Sequence, residues 1–283
     1  MKLGISAFAW IGSFEQRHLE LLPRVREMGY AAFEIPMFDP ADLPVRSLRK
    51  AFVESGLECT ICSILPSGVN PISPEPAVRK HSQAHLAKCI ETAAELGASL
   101  IGGPILAPIG YFTNNRPSAD EWAWAVEACQ SIVGHLDAHS VSLSLEPVNR
   151  AETFFLRTIQ EAVAVCSAVA HPRIGVTIDT FHANIEEGSL EKAIEITGPK
   201  LLHVHLSENT RGLLGTGHID FGRIVAALKR AQYKANVIVE GFGFDERERN
   251  APGYLWADQD VSPEFLAQSG YAFCQNLIGQ DQK

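Results

Sequence analysis

A rhythm limits how this chain can fold more than any other feature of it. Eight short β-type runs alternate with longer stretches of helical character from one end to the other. The runs are LGISAF, AAFEIP, LECTICSIL, SLIGG, VSLSLE, IGVTID, LLHVHL and NVIVE. They are largely apolar and β-branched rather than strictly alternating, as expected of parallel strands covered by helices. Between them, residues 76–96 place Val78, Leu86, Ile90, Ala93 and Leu96 at helical spacing and stop at Gly97. Ser118 with Glu121 three residues on forms a capping box, and Trp122, Val126, Cys129, Val133 and Leu136 follow it on one helical face. Ser262-Pro-Glu opens a further helix near the C terminus.

Two architectures accept such a pattern. A doubly wound dinucleotide-binding sheet carries GxGxxG after its first strand, and Gly4 and Gly12 do not supply it. Eight strand–helix units in 283 residues fit the α/β class as a (β/α)8, or TIM, barrel. No linker or low-complexity tract divides the chain, so a single domain over residues 1–283 with a C-terminal helix is expected.

Composition removes several functions. A net charge of −9 leaves no basic footprint for a nucleic acid. No run of about 18 apolar residues offers a membrane span. The opening MKLGISAFAWIGSF reads as a first strand rather than a signal peptide. Six cysteines are scattered through apolar segments. Cys59 and Cys62 form a CxxC, but inside a strand-like run whose alternation sends the two thiols to opposite faces. Buried, reduced cysteines in a cytoplasmic protein are the expectation.

The chemistry gathers at the ends of the last four runs, on Glu146, Asp179, His205 (one residue before the run's last) and Glu240. The intervals of 33, 26 and 35 residues each correspond to about one strand–helix repeat. In a barrel the C-terminal strand ends converge on one face, where catalysis occurs. Three carboxylates and an imidazole make an oxygen-rich set suited to Mn2+ or Mg2+, with Co2+ tolerated. A single acid at a strand end is usually a cap or an ion-pair partner, whereas four on successive strands point to a shared ion. His203 shares a strand face with His205 and, one layer deeper, is expected to hydrogen-bond in support. His182, three residues past Asp179, is placed in a loop above the strand, within reach of a bound substrate. Arg211 either holds a polar substrate's oxygens or pairs with Glu208.

These residues carry a resemblance. LEPVNR (145–150), IDTFHANIEE (178–187), HVHLSENTRG (203–212) with GTGH (215–218), and VEGF (239–242) resemble the ketose 3-epimerase family. Its members act on sugars such as D-tagatose, D-psicose (allulose) and L-ribulose, and belong to the xylose-isomerase-like barrels. The resemblance implies Glu146, Asp179, His205 and Glu240 as ligands of Mn2+. It implies Glu152, His182 and Arg211 as contacts to substrate hydroxyls, and Glu146 with Glu240 as a proton-transfer pair. It also implies a homodimer or homotetramer.

The chemistry runs the same way. A proton next to a ketone is weakly acidic, a divalent ion stabilises the enediolate charge, and two opposed carboxylates invert the carbon. Related readings are an aldose–ketose or hydroxypyruvate isomerase and an inosose dehydratase. From another class comes a non-catalytic sugar-binding barrel, which would be expected to lose at least one of the four strand-end residues. The family's Trp after the GxG loop is replaced by Phe221. Phe8, Ile109 and Phe112 are candidates for an apolar pocket wall. Asp245, Glu246 and Glu248 beside Arg247 and Arg249 oppose a phosphate after the last strand, which favours a free ketose.

Overall fold

The computed structural model describes residues 1–243 and 261–279. The acidic and basic cluster from Asp245 to Arg249 lies outside them. Eight parallel strands close into a barrel in sequence order, with the first strand pairing the eighth. They are β1 (Lys2–Ser6), β2 (Ala32–Met37), β3 (Glu58–Ser63), β4 (Leu100–Gly103), β5 (Ser142–Leu145), β6 (Ile174–Asp179), β7 (Leu201–Leu206) and β8 (Asn236–Val239). The helices between them are α1 (Leu21–Glu27), α2 (Val45–Ser55), α3 (Pro76–Leu96), α4 (Ala119–Ser131), α5 (Val133–His139), α6 (Ile159–Val169), α7 (Thr180–Glu186), α8 (Leu190–Thr197) and α9 (Phe221–Arg230). The last, α10 (Pro263–Gly279), follows β8.

Local chemistry explains where these elements start and stop. Ser118 Oγ accepts from the Glu121 N–H, and Glu121 Oε2 accepts from the Ser118 N–H at 2.7 Å, so the expected capping box opens α4. α3 ends as expected at Gly97, whose φ of +85° is left-handed and costs glycine little. The apolar face expected to run from Trp122 to Leu136 is split between α4 and α5. Ile132 leaves helical geometry, with φ −102° and ψ −2°, where a β-branched Ile-Val pair precedes Gly134.

The strands bury both faces: every residue of β2, β4, β6 and β8 is buried. Alternation holds where it was expected. Cys59 joins the outer core, whereas Cys62 packs with Phe8 and Phe242 inside the barrel mouth. All six cysteines are buried and unpaired.

The barrel interior is not wholly aliphatic. Beneath the C-terminal mouth lie Glu34, Thr60, Ser144, Thr177 and His203, each at most 1% exposed. Thr177 donates to Ser144 Oγ at 2.7 Å, and Thr60 donates to Glu34 Oε2 at 3.3 Å. Branched aliphatic residues usually fill these layers, so this hydrogen-bonded layer is a floor prepared for what stands above it.

At the eighth strand, α10 lies directly against the barrel. A Cβ at Gly270 would come within 2.8 Å of Val239 Cγ1. Glycine there lets the helix back the end of β8, one residue before Glu240. Tyr30 donates to the Ala267 carbonyl at 2.8 Å, and Trp10 donates to Glu264 at 3.1 Å, fixing the helix to the first strand–helix unit. Phe221, in place of the family's Trp, is buried edge-on to Phe273 of α10, so it serves the core.

Candidate active site at the barrel mouth

β6 and β7 pair with Asp179 opposite His205, which sets those two side chains level on neighbouring strands. Glu146 and Glu240 directly follow β5 and β8. The four expected residues therefore meet. His205 Nδ1 lies 3.4 Å from Glu146 Oε1, 3.7 Å from Asp179 Oδ2 and 3.7 Å from Glu240 Oε1. All four side chains are buried.

Two of the atoms turned inward, Asp179 Oδ2 and His205 Nδ1, make no hydrogen bond although they are buried. Unsatisfied buried polar atoms are rare. Here they converge with further carboxylate oxygens on one point, as a cation site requires. The electrostatics agree. Burial and the neighbouring Glu240 carboxylate push Asp179 up to about 7, against the pull of Arg211 and His205. Burial disfavours charge on His205, yet Glu34, Glu146 and Glu240 outweigh it and raise the imidazole well above its ordinary range. Such a cluster favours positive charge at its centre.

Asp179 has a second duty. Its Oδ1 accepts from the His182 N–H at 3.0 Å and caps α7. His182 thus sits in the first turn of a short helix rather than in a loop, because the strand-end aspartate starts that helix at once. Its Nδ1 accepts from the Asn149 backbone N–H at 3.2 Å and lies 2.9 Å from Asn149 Nδ2. Burial and the adjacent Arg211 hold the ring neutral, well below the usual imidazole range. Asn149 Nδ2 also donates to Glu152 Oε1 at 3.0 Å. Burial raises the Glu152 carboxyl, with Arg211 pulling the other way.

Arg211 is buried rather than waiting in solvent. Nη1 donates to Glu240 Oε2 at 2.6 Å and to Ser207 Oγ at 3.2 Å, and Nη2 lies 3.0 Å from His182 Nε2. The guanidinium stacks 3.9 Å over Phe181. Of the two alternatives left by the sequence, pairing with Glu208 is not what occurs. Glu208 instead accepts from the backbone N–H groups of Asn209, Gly215 and Ile219 and shapes the loop from inside.

Glu146, Glu152, His182, Arg211 and Glu240 line one cleft. Phe8 and Ile109 are in its wall as expected, together with Cys62, Ile64 and Phe242. Phe112 is not among the lining residues and stands 45% exposed.

Three supporting groups escaped sequence reasoning. Glu34 of β2 is fully buried, with Oε2 2.6 Å from His203 Nε2 and Oε1 3.0 Å from His205 Nε2. Burial would raise its carboxyl, but the His205 and His203 imidazoles outweigh that and hold it well below the usual range. The lone acid in AAFEIP was the available signal. Asn149 gave none beyond its place in LEPVNR. Glu186 and Glu187 clamp the loop that carries Glu152, through Arg150 at 2.8 Å and the Ile159 N–H at 2.7 Å.

Comparison with known proteins identifies the family. A family model described as Xylose isomerase-like TIM barrel matches residues 22–261. The chain is 32% identical to the ketose 3-epimerase of Arthrobacter globiformis over 92% of each chain. It is 32% identical to the L-ribulose 3-epimerase of Mesorhizobium japonicum, over 91% of this chain and 89% of that one. The D-allulose 3-epimerase of Methylomonas sp. in complex with D-allulose superposes with a TM-score of 0.90 at 27% identity, over 98% of this chain and 96% of that one. By fold, by the residues at the barrel mouth and by these relatives, the chain belongs to the xylose isomerase-like TIM barrel family and, within it, to the ketose 3-epimerases.

Proposed function

We propose that the protein inverts C3 of a free ketose, a ketohexose or ketopentose, by removing a proton and returning one to the opposite face. The observation that carries this reading is the meeting of Glu146, Asp179, His205 and Glu240 beside a cleft that Glu146 and Glu240 line. Their donor set, three carboxylates and one imidazole with two buried atoms left unpaired, fits Mn2+, and Mg2+ or Co2+ by the same chemistry. Bound there, the ion would polarise the ketose oxygens and stabilise the charge of the enediolate.

The remaining steps belong to the chain. Glu146 and Glu240 both face the cleft and come from β5 and β8, three strands apart around the barrel. One acts as general base toward the C3 proton, and the other delivers a proton from its own side. The hydrogen bond from Arg211 to Glu240 Oε2 fixes the orientation of that carboxylate. Arg211, His182 and Glu152 present donors and acceptors for the hydroxyls flanking the reacting carbon. Phe8, Phe242 and Ile109 cover the cleft and limit the access of water. Six buried, unpaired cysteines fit a reducing, cytoplasmic setting.

The test is a panel of free ketoses incubated with the Mn2+-loaded protein in D2O, with products separated by chromatography. A C3 epimer carrying solvent deuterium at the inverted carbon is expected. Inversion without label would replace the two-sided exchange by hydride transfer or by a single base shielded from solvent. A wild-type protein that binds no Mn2+ and converts no ketose would favour a non-catalytic sugar-binding barrel.

A further inference from the structure

One buried carboxylate takes no part in the proposed reaction. Glu34 lies within β2 and is completely buried, where a valine or isoleucine would suit the strand. An ionised carboxylate in such a place costs several kcal/mol unless its partners compensate. Its partners lie across the barrel interior, on β7: His203 Nε2 at 2.6 Å and His205 Nε2 at 3.0 Å. Thr60 Oγ1 adds a third contact at 3.3 Å. The His203 contact is a formed hydrogen bond. The His205 contact has ion-pair distance without full hydrogen-bond alignment.

The His205 ring therefore stands between two sets of acceptors. Glu34 faces Nε2, and the carboxylates of Glu146, Asp179 and Glu240 face Nδ1 at 3.4 to 3.7 Å. An imidazole can bind a cation only through a nitrogen that carries no proton, and its other nitrogen then keeps one. Were Nε2 to face an apolar wall, a lone remaining proton would settle on Nδ1, drawn by three carboxylates, and would stand in the cation's place. A charged acceptor on the Nε2 side reverses that preference. His203, hydrogen-bonded to the other oxygen of Glu34, holds the carboxylate plane so that Oε1 stays turned to His205.

Resting on the metal reading above, we infer that Glu34 is a positioning residue: its carboxylate keeps the proton of His205 on Nε2 and leaves Nδ1 free to take the ion. Glu34 is not among the residues that line the cleft, so it acts through His205.

The experiment titrates apo wild type and Glu34→Gln with Mn2+, following the electron paramagnetic resonance signal of the free ion. Glutamine keeps the shape of the side chain but carries no charge, so it removes the charged acceptor. The expected result is a Kd for Mn2+ raised about 10- to 100-fold, the usual effect of losing an outer partner of a metal-bound histidine. A purely structural Glu34 would lower the melting temperature of the apo protein and leave that Kd within twofold, which overturns the inference. A second readout needs no variant. In Mg2+-loaded wild type with 15N-labelled imidazoles, His205 should show its bonded proton on Nε2, and a proton on Nδ1 would overturn the inference even if Glu34→Gln failed to fold. Should wild type bind neither Mn2+ nor Mg2+, this inference and the metal reading fall together. Should it bind Mn2+ but convert no ketose, the proposed reaction falls and the role of Glu34 stands.

Discussion

Consider replacing Gly103, the last residue of β4, by alanine. Gly103 has φ +121°, a backbone region that side chains with a Cβ seldom enter. An added Cβ would sit 2.1 Å from the Ser63 carbonyl oxygen and 3.0 Å from two further Ser63 backbone atoms. Backbone cannot swing aside as a side chain can, so β3 and β4 must separate by about 1 Å at their C-terminal ends. Forcing alanine into that φ costs about 1–3 kcal/mol, and the overlap adds about 1–3 kcal/mol. The expected loss is about 2–6 kcal/mol, a large share of the roughly 5–15 kcal/mol that holds a typical domain folded. The Gly103 carbonyl also accepts from the Glu146 N–H at 3.2 Å, so the same displacement reaches a proposed catalytic residue.

The neighbouring Gly102 is the control. A Cβ there would lie 3.2 Å from Thr177 Oγ1, a side-chain atom that needs to give by only a few tenths of an ångström, with its next neighbours at 3.8 Å or more. Gly102→Ala should cost about 1 kcal/mol or less, the strand propensity gained offsetting part of the crowding. Urea unfolding of the three proteins, with thermal melts alongside, measures the difference. At about 2–4 °C per kcal/mol, Gly103→Ala should melt about 4–24 °C below wild type. Stabilities for the two variants that agree within about 1 kcal/mol would refute the argument from φ and the Ser63 carbonyl.

Glu146→Gln and Glu240→Gln should each lose about 10²- to 10⁴-fold in ketose epimerisation with an unchanged circular dichroism spectrum; full activity in either variant would remove it from the proton-transfer pair. Asn149→Ala strips a donor from Glu152 and leaves His182 Nδ1 with the Asn149 backbone N–H as its remaining donor. Epimerase kcat/KM should fall about tenfold, and stability by about 1–3 kcal/mol for the partners left unpaired; an unchanged kcat/KM would show that this link does no positioning. Burial raises Cys89, Cys166 and Cys274 to about 12, 11 and 12 from an ordinary 9. These thiols keep their protons in the folded state after the unfolded chain has lost them, so stability should fall as pH rises above about 9. The native protein should also resist Ellman's reagent at pH 8 and release six thiols in denaturant, and rapid labelling of the native form would contradict the burial.

The sequence reached furthest where chemistry and periodicity coincide. Each of the runs from VSLSLE to NVIVE carries a side chain that can bind metal at or one residue before its end, and parallel strands in a closed barrel must bring such ends to one face. Glu146, Asp179, His205 and Glu240 were legible for that reason. His182 was legible as a group near Asp179 but not as part of a helix. That helix exists because Asp179 Oδ1 is free to cap it, a fact about one rotamer. The split of α4 from α5 at Ile132 was likewise hidden, since both halves keep the same apolar face.

Taken alone, the chain's order of residues determined the barrel, the mouth at which its chemistry gathers and the four groups that meet there. These follow from local periodicity and from strand ends, which depend on near neighbours in sequence. Tertiary structure alone decided that Arg211 lies buried against Glu240 and Phe181 rather than beside Glu208, that Phe112 stays outside the cleft, and that Glu34 stands behind His205. Glu34 and His205 are 171 residues apart in the sequence and on strands that are not paired. Their contact exists only because the closed barrel turns both side chains into the same interior layer, where a buried charge must find a partner across the space rather than along the chain.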